Sequence, residues 1–421
     1  MGRTTRKDNR DLPHPKPVEK VQLSEKHVKL RIVLVAVFLV IGVTALAYGA
    51  ISFLAGGDGG WQEITASNSG ENHCGGEFVF QYDIGGSGLT VRTEYRQLTD
   101  LYTESMIHAY QLFSAMSPFE GVTNLYTINH HPGEVLTVEP VLYDAFRLLE
   151  ENGRRELYLG PVYVQYNNLF YCQSDDQIRE FDPFVSQEAA EDYQRLADYA
   201  RDPDAVRLEL LGENQIRLVL SEDYAKYAEE EGVTDFLDFY WMRNAFIIDY
   251  VAERLQEQGY TRGVLSSYDG FTRNLDQRGN TYAYNIFDRQ GQVVYGAGTM
   301  QYDQPVSMVF LRDYPVNNLD TMHYYELENG EIRFPYVDVE DGLCRAALHN
   351  LVGYSYTEDC ARILISLMPV YIADTFDLPS LQELSGKGIY SIYCIDGIIY
   401  PTESGVKIKD LYEGYRISVV K

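Results

Sequence analysis

The sequence predicts an α+β fold with mixed or antiparallel sheets and packed helices. Segments whose apolar residues recur every three or four positions, typical of amphipathic helices, lie among shorter segments in which apolar and polar residues alternate, typical of strands. The two kinds of segment do not follow a strict strand–helix repeat, which favours α+β over a doubly wound parallel sheet. With 421 residues, the chain is long enough to bury a large core.

Five helices follow from apolar spacing. In the first, over residues 96–116, Leu98, Leu101 and Phe113 share one face, and Pro118 ends the helix. The third is strongly acidic. The remaining helices are predicted over residues 140–150, 187–200, 244–258 and 360–373.

Strands follow from alternation. The first is FVFQY, residues 78–82, and a second is expected at residues 89–95 after a Gly-rich turn. Residues 206–221 read as a hairpin with Gly212-Glu213-Asn214 at its turn. Further strands are predicted over residues 261–266, 281–287, 291–297 and 305–311, and in the last 35 or so residues.

The N-terminal segment predicts a membrane anchor. Residues 1–31 carry nine Lys/Arg and four Asp/Glu, whereas the whole chain has a net charge of −27, which leaves −32 on residues 32–421. Residues 32–55 form an uncharged apolar run, and a helix of that length rises about 36 Å, enough to cross a bilayer. A cleaved signal peptide and a buried core helix are the alternatives.

The positive-inside rule orients this anchor. Residues 1–31 are then a cytosolic basic tail, residues 56–76 a linker, and residues 77–421 an extracytoplasmic domain of a single-pass protein of the cell membrane. The membrane is thus a predicted partner, and a protein partner at the cell surface is a further possibility. Nucleic acid is excluded as a partner, because the acidic domain lacks the basic footprint that binding would need.

All five cysteines lie on the predicted outer side, where disulfides can form. Their number is odd and no metal-binding spacing is present. If one bridge forms, we expect it between Cys344 and Cys360, with free buried thiols as the alternative. Cys74, in the Gly-rich sequence GENHCGG, is the expected unpaired thiol.

Residues 235–271 carry the most specific motif of the chain. They read as a loop, an amphipathic helix, a turn and a strand, and the helix contains the sequence FIIDYVAERL at residues 246–255. The segment resembles the central part of the ApbE family, the FAD:protein FMN transferases, a T-fold-related fold. Other segments of the family pattern follow in the same order over residues 93–385, about 70% of the chain.

The resemblance implies a reaction and its cofactors. Family members use magnesium to cleave FAD at its pyrophosphate and transfer FMN to a threonine of a target protein. Such chemistry needs close backbone approach to phosphates, a cation that spreads charge, and a base for the acceptor hydroxyl. FAD and Mg²⁺ are therefore the cofactors that the chain would use if it retained this activity.

The chain departs from the family pattern where that chemistry would take place. Two family glycines correspond to Tyr240 and Trp241, and the neighbouring lysine corresponds to Asn244. A later Gly-Gly pair corresponds to Tyr268 and Asp269. Glycine permits close approach of backbone to a ligand, so aromatic side chains at these positions would fill the space that a flavin needs.

Two further family motifs are altered. The likely base, a histidine, corresponds to Pro335, which has no side-chain proton to exchange. The metal-binding helix motif D-A-x-x-T corresponds to residues 359–363, where Asp359 is kept and Ile363 replaces the threonine hydroxyl. Because Mg²⁺ prefers several oxygen ligands, Asp359 alone does not make a site.

Each candidate residue has two interpretations. Tyr240, Trp241, Tyr268, Asp338 and Gly342 are the candidate cofactor-binding residues. The three aromatic residues either line a groove for another ligand or fill the cavity, while Asp338 and Gly342 also suit a plain turn. Asp359 is the candidate metal ligand, and its alternative role is a helix cap. On the central helix, Asp249 and Glu253 are expected on a solvated face.

The sequence thus predicts a membrane-anchored ApbE-like protein that lacks flavin-transferase activity and acts as a binding or accessory module, with no catalytic residue and no cofactor. One alternative is a divergent FMN transferase or FAD pyrophosphatase that uses Asp338 and Asp359. Another is a structural component of a membrane complex.

Overall fold

The computed structural model describes residues 59–67 and 73–418. The predicted cytosolic tail and membrane helix at 1–55 lie outside the described residues, so the anchor stays a prediction. No helix in the described part of the chain is both long and apolar enough to cross a membrane.

The helices of the described chain confirm the predicted periodic segments and add several more. The helices are α1 (Val91–Leu112), α2 (Leu125–His130), α3 (Pro140–Glu151), α4 (Gly160–Phe170), α5 (Asp175–Ile178), α6 (Gln187–Arg201), α7 (Glu222–Glu231), α8 (Arg243–Glu257), α9 (Cys360–Tyr371) and α10 (Leu378–Gly386). Short 3₁₀ helices cover Gly75–Glu77, Glu156–Leu159, Tyr240–Met242 and Asp320–Met322.

The strands form one large sheet and three small ones. The strands are β1 (Gly60–Ile64), β2 (Phe78–Ile84), β3 (Leu136–Thr137), β4 (Val206–Gly212), β5 (Gln215–Leu220), β6 (Gly263–Ser267), β7 (Phe271–Asn274), β8 (Tyr282–Gln290), β9 (Val293–Tyr302), β10 (Val306–Arg312), β11 (Tyr325–Glu326), β12 (Ile332–Arg333), β13 (Asn350–Ser355), β14 (Tyr390–Ile395), β15 (Ile398–Pro401), β16 (Lys407–Lys409) and β17 (Arg416–Ile417). Among the described residues, the large sheet has nine strands in the order β1-β2-β6-β7-β10-β13-β14-β15-β17.

Most neighbours in the large sheet are antiparallel, and the β15–β17 pair is parallel. The α+β prediction is therefore confirmed. The central strand of the large sheet, β10, is buried along its whole length. Val309 and Leu311 face the core that contains α8 and α9, while Met308 and Phe310 face a second core with β8 and β9. Burial on both faces explains the unbroken apolar run in this strand.

Two local predictions near the N-terminus are wrong. Residues 89–95 begin α1 instead of forming a strand, because Thr90 accepts a hydrogen bond from the Thr93 amide and caps the helix. Residues 60–64, within the predicted linker, form β1, which pairs with β2. The 206–221 hairpin is confirmed, and Glu213 and Asn214 both have positive φ at its turn.

The predicted Cys344–Cys360 disulfide is wrong, since all five cysteines are free. The Cys360 thiol instead donates to the Thr272 and Met308 carbonyl oxygens beneath the large sheet. Cys74 is unpaired as predicted, but it is buried rather than exposed in a linker. Burial raises the pKa of the Cys74 thiol to about 12, so this sulfur is an inert part of the core.

Candidate functional site

The segment before α8 keeps a backbone shape that usually requires glycine. Tyr240, which corresponds to a family glycine, has φ +43°, in the left-handed region. The Asp238 carboxylate accepts a hydrogen bond from the Tyr240 amide at 2.8 Å and stabilises this turn. The chain has thus kept the backbone turn and added a large side chain to it.

The Tyr240 side chain is partly buried and packs against the core. Its ring stacks on Tyr163 with 4.6 Å between centroids, and its edge contact with His323 spans 5.5 Å. The hydroxyl donates to the Asn167 amide oxygen at 2.8 Å. These contacts fix the ring against α4, so Tyr240 does not line an open groove.

Trp241 fills the neighbouring space. Its side chain is 5% exposed, and the indole meets the Tyr336 ring edge-on at 5.0 Å. The cavity left beside it has a volume of about 20 Å³, enough for one water molecule. Sites for drug-sized ligands occupy about 300–1,000 Å³.

The cavity lies between Trp241 and polar groups from other elements. Of the five predicted cofactor-binding residues, Trp241 alone lines it. Pro335, at the position of the family histidine, is also part of the wall. The full lining is Trp241, Asp269, Phe271, Arg312, Asp320, His323, Tyr324, Pro335 and Tyr336.

Asn244, at the position of the family lysine, joins two carboxylates. Its side-chain nitrogen donates to Glu77 at 2.9 Å and to Asp269 at 3.0 Å. Arg243 places one guanidinium nitrogen 2.7 and 2.6 Å from the two Glu77 oxygens. Burial alone would raise the pKa of Glu77, but the Arg243 charge and the hydrogen bonds outweigh it and hold that pKa below its ordinary value.

Arg312 ties the turn after β6 to the segment after β10. The side chain is 1% exposed and donates to the Asp269 and Tyr268 carbonyl oxygens and to the Asp320 carboxylate, the last at 2.6 Å. Asp320 also accepts from the Val316 and Asn317 amides. In this polar network each charge has an opposite charge or a backbone dipole beside it.

Burial shifts the pKa values of Asp269 and His323, which both lie on the cavity wall. Burial raises the pKa of Asp269 to about 6, with the Glu77 charge acting in the same direction. Burial lowers the pKa of His323 to about 4, and the nearby Arg243 charge adds to that effect. At neutral pH the Asp269 carboxylate is therefore mostly ionised and the His323 imidazole is neutral.

Tyr268, the third aromatic candidate, is 40% exposed. Its amide donates to the Glu77 carbonyl, and its own carbonyl accepts from Asn317 as well as Arg312. The backbone of Tyr268 is therefore fixed while its ring faces outward. The exposed side chains of Leu319 and Met322 follow in the segment that Asn317 anchors to it.

Asp338 and Gly342 form a tight turn. The Gly342 amide donates to the Asp338 carbonyl at 2.8 Å, and the Asp338 carboxylate accepts from the Glu340 amide. Gly342 has φ +74°, and a Cβ added there would lie 2.9 Å from the Tyr193 carbonyl oxygen. The fold itself thus needs both residues, and their cofactor-binding role stays a prediction.

Asp359 is the N-cap of α9. Its carboxylate accepts from the Arg362 amide at 2.8 Å, as the alternative interpretation predicted. The hydroxyl that the family motif supplies has no counterpart here, since Ile363 is buried in the core. Within residues 59–67 and 73–418, no group of three or more His, Cys, Asp and Glu side chains is placed to hold a metal ion.

Asp249 corrects the prediction of a solvated face on α8. It is an interior residue whose carboxylate accepts from the Cys360 and Ala361 amides at 3.0 and 2.8 Å. Arg273 from β7 pairs with it at 2.5 Å. Burial raises the pKa of Asp249 to about 6, and the Arg273 charge opposes that rise. A side-chain cation therefore already neutralises this carboxylate, and the residues around α9 do not fit Mg²⁺.

Sequence reasoning missed Glu77, Arg273, Arg312, Asp320 and His323. Arg312 gave one usable signal, because a charged residue that directly follows the four apolar residues 308–311 must find a buried partner. The other four come from distant segments and carried no local signal.

Comparison with solved structures agrees with this architecture. An ApbE protein from Thermotoga maritima aligns with 83% of this chain and 97% of its own, with a TM-score of 0.54 at 12% sequence identity. The flavin transferase ApbE from Vibrio cholerae aligns with 85% of this chain and 99% of its own, with a TM-score of 0.52 at 12% identity.

This chain has the ApbE fold. The likeness spans nearly the whole of both solved proteins, so the predicted resemblance holds for the scaffold as a whole. No family model and no curated protein matches the sequence. In this ApbE-like chain the scaffold matches the solved proteins. The side chains of Tyr240, Trp241 and Asn244, however, contact other groups of the protein itself.

Proposed function

We propose that this ApbE-like chain is a membrane-anchored, extracytoplasmic protein that lacks flavin-transferase activity and acts as a binding or accessory module. One observation carries the proposal. Trp241 is buried and Tyr240 is partly buried against the core at positions where the family pattern has glycine, and the cavity beside Trp241 measures about 20 Å³. An isoalloxazine ring needs many times that volume.

The electrostatics support the same proposal. A transferase would need free oxygen ligands for Mg²⁺ and a base near the acceptor hydroxyl. Here Asp359 caps α9, Asp249 pairs with Arg273, and Pro335 occupies the position of the family histidine. The guanidinium groups of the site are paired with carboxylates, which favours stability over turnover.

A binding role is supported by exposed side chains that adjoin, in the sequence, residues lining the cavity. Tyr268, Leu319 and Met322 are 40%, 47% and 47% exposed, and Asn317 links the two segments that carry them. Tyrosine and methionine are enriched at protein interfaces. The basic tail and the apolar run at 32–55 support the anchoring part of the proposal.

An FMN-transfer assay tests the proposal. The full chain in detergent is incubated with FAD, Mg²⁺ and a threonine-containing acceptor peptide, with the Vibrio cholerae flavin transferase ApbE as positive control. We expect labelled peptide with the control and none with this chain. Covalent FMN on the peptide would overturn the proposal. Release of free FMN without labelling would support the FAD pyrophosphatase alternative instead.

A second experiment tests the anchor. Protease added to intact cells should degrade residues after the apolar run and leave a tag at the N-terminus protected. Alkaline extraction should leave the protein in the membrane fraction. Release into the supernatant, or protection of the domain in intact cells, would contradict the predicted topology.

A further inference from the structure

The small cavity beside Trp241 is surrounded by buried polar atoms that lack a protein partner. Arg312 Nε, Asp269 Oδ1 and His323 Nδ1 are all shielded from solvent and form no hydrogen bond within the described chain. All three residues line this cavity. Trp241 Nε1 is a fourth such atom. Buried polar atoms without partners are rare, and three of them belong to residues that line one space of defined size, which points to a ligand.

The chemistry of these atoms matches one small molecule. Arg312 Nε carries a hydrogen and donates, the Asp269 carboxylate oxygen accepts, and a neutral His323 ring offers one nitrogen as an acceptor. A water molecule has two hydrogens and two lone pairs, so it can accept from Arg312 and donate to Asp269 and His323. Buried waters make about three hydrogen bonds, and the 20 Å³ cavity holds about one.

An ion is a poorer match to the same atoms. The Arg312 guanidinium is paired with Asp320, and the Arg243 guanidinium with Glu77, so neither has a charge to share with an anion. The carboxylate oxygen of Asp269 would repel one. A divalent cation would need more oxygen ligands than Asp269 and Asp320 supply, and it would meet Arg312 directly.

We propose that the cavity is a specific site for a single ordered water that bridges Arg312 Nε, Asp269 Oδ1 and His323 Nδ1. The bridge joins three segments, since Asp269 precedes β7, Arg312 ends β10 and His323 follows the Asp320–Met322 turn. It supplies the partner that these three atoms lack within the described chain. This inference does not depend on whether the chain transfers FMN.

A crystal structure of the full chain in detergent, at a resolution that shows ordered solvent, tests the proposal. We expect one water peak within about 3.2 Å of all three atoms. An empty cavity, a side chain that has rotated into it, or a peak that fails to contact these atoms would overturn the proposal.

The variant His323→Phe provides the matched test, because it removes the acceptor nitrogen and keeps a flat ring. We expect the water peak to be lost or strongly reduced, since only two of the three bonds would remain. A peak of unchanged height at the same place in His323→Phe would overturn the bridge. The variant Tyr268→Phe, whose ring faces solvent, should leave the peak as it is in the unmodified chain.

Discussion

The indole of Trp241 stands edge-on to the ring of Tyr336, with 5.0 Å between centroids and 82° between ring planes. Tyr336 in turn meets Tyr371 edge-on at 5.2 Å. An aromatic chain therefore runs from the segment before α8, across the 335–342 loop, to the end of α9. Contacts of this kind add about 0.5–1.5 kcal/mol per pair beyond area burial. Trp241 is thus part of the core, where the family pattern would leave room for a ligand.

Trp241→Gly should open a cavity of indole size and destabilise the domain by about 3–5 kcal/mol, because the surrounding rings cannot collapse fully. Added indole should bind that cavity and raise the melting temperature of the variant. Denaturant unfolding and thermal melts with and without indole measure both effects. Trp61→Gly is the control, since Trp61 is 47% exposed. An equal indole effect in both variants would contradict a filled core at Trp241.

Arg273→Met should leave the buried Asp249 carboxylate without its cation and cost several kcal/mol at neutral pH. The pKa of Asp249 is about 6 even beside Arg273, so removal of the Arg273 charge should raise the pKa of Asp249 further. The variant should therefore lose most stability above pH 6 and recover part of it near pH 5. Arg254→Met, in an exposed pair with Glu257, should stay within about 0.5 kcal/mol. A pH-independent loss in Arg273→Met would refute the pairing.

Asp359→Ala should lower stability by about 0.5–2 kcal/mol, the usual cost of removing a helix N-cap, and the loss should be the same with Mg²⁺ or with EDTA. Ser186→Ala removes the cap of α6 and gives the matched loss at a site without any metal motif. Asp359→Asn should keep most of the stability. If Mg²⁺ stabilised the unmodified chain and not Asp359→Ala, the metal-ligand interpretation would be correct instead.

Asp269→Asn tests the pH behaviour of the polar network. Burial raises the pKa of Asp269 in the folded state to about 6, above its unfolded value of about 3.9. The folded state therefore binds more protons between these values, so ionisation of Asp269 lowers stability as pH rises from 4 towards 7. Relative to the asparagine variant, the unmodified chain should lose stability over that interval. Chemical denaturation at a series of pH values measures the difference in stability. If the unmodified chain gained stability relative to Asp269→Asn as pH rises, the raised pKa of Asp269 would be contradicted.

The sequence predicted the elements whose signal is local. α3, α6, α8 and α9 follow from apolar spacing, and the β4–β5 hairpin follows from its turn residues. β13 was missed because both of its faces are buried, which removes the alternation that marks a strand. The start of α1 was misread because Val91 and Thr93 favour strands, whereas the Thr90 cap and the buried face of the helix decide the outcome.

The site was predictable in part. The positions of Tyr240, Trp241 and Asn244 follow from the family resemblance, but their partners do not. Glu77 lies 166 residues before Arg243, and Asp249 lies 24 before Arg273, so tertiary folding alone brings these charges together. Glu77, Arg273 and Asp320 neutralise or orient groups that a sequence pattern would assign to ligands. Their role is visible only when the distances are known.

The measurement that tests the central claim most directly is the affinity of the full chain for FAD. Isothermal titration in detergent, with and without Mg²⁺, should show no heat of binding up to high-micromolar FAD, while the Vibrio cholerae flavin transferase ApbE serves as the binding control. Trp241 gives an internal reporter, since its fluorescence should remain unquenched in the Trp61→Phe variant. Saturable FAD binding that quenches Trp241 would contradict a filled site and favour the enzyme alternative.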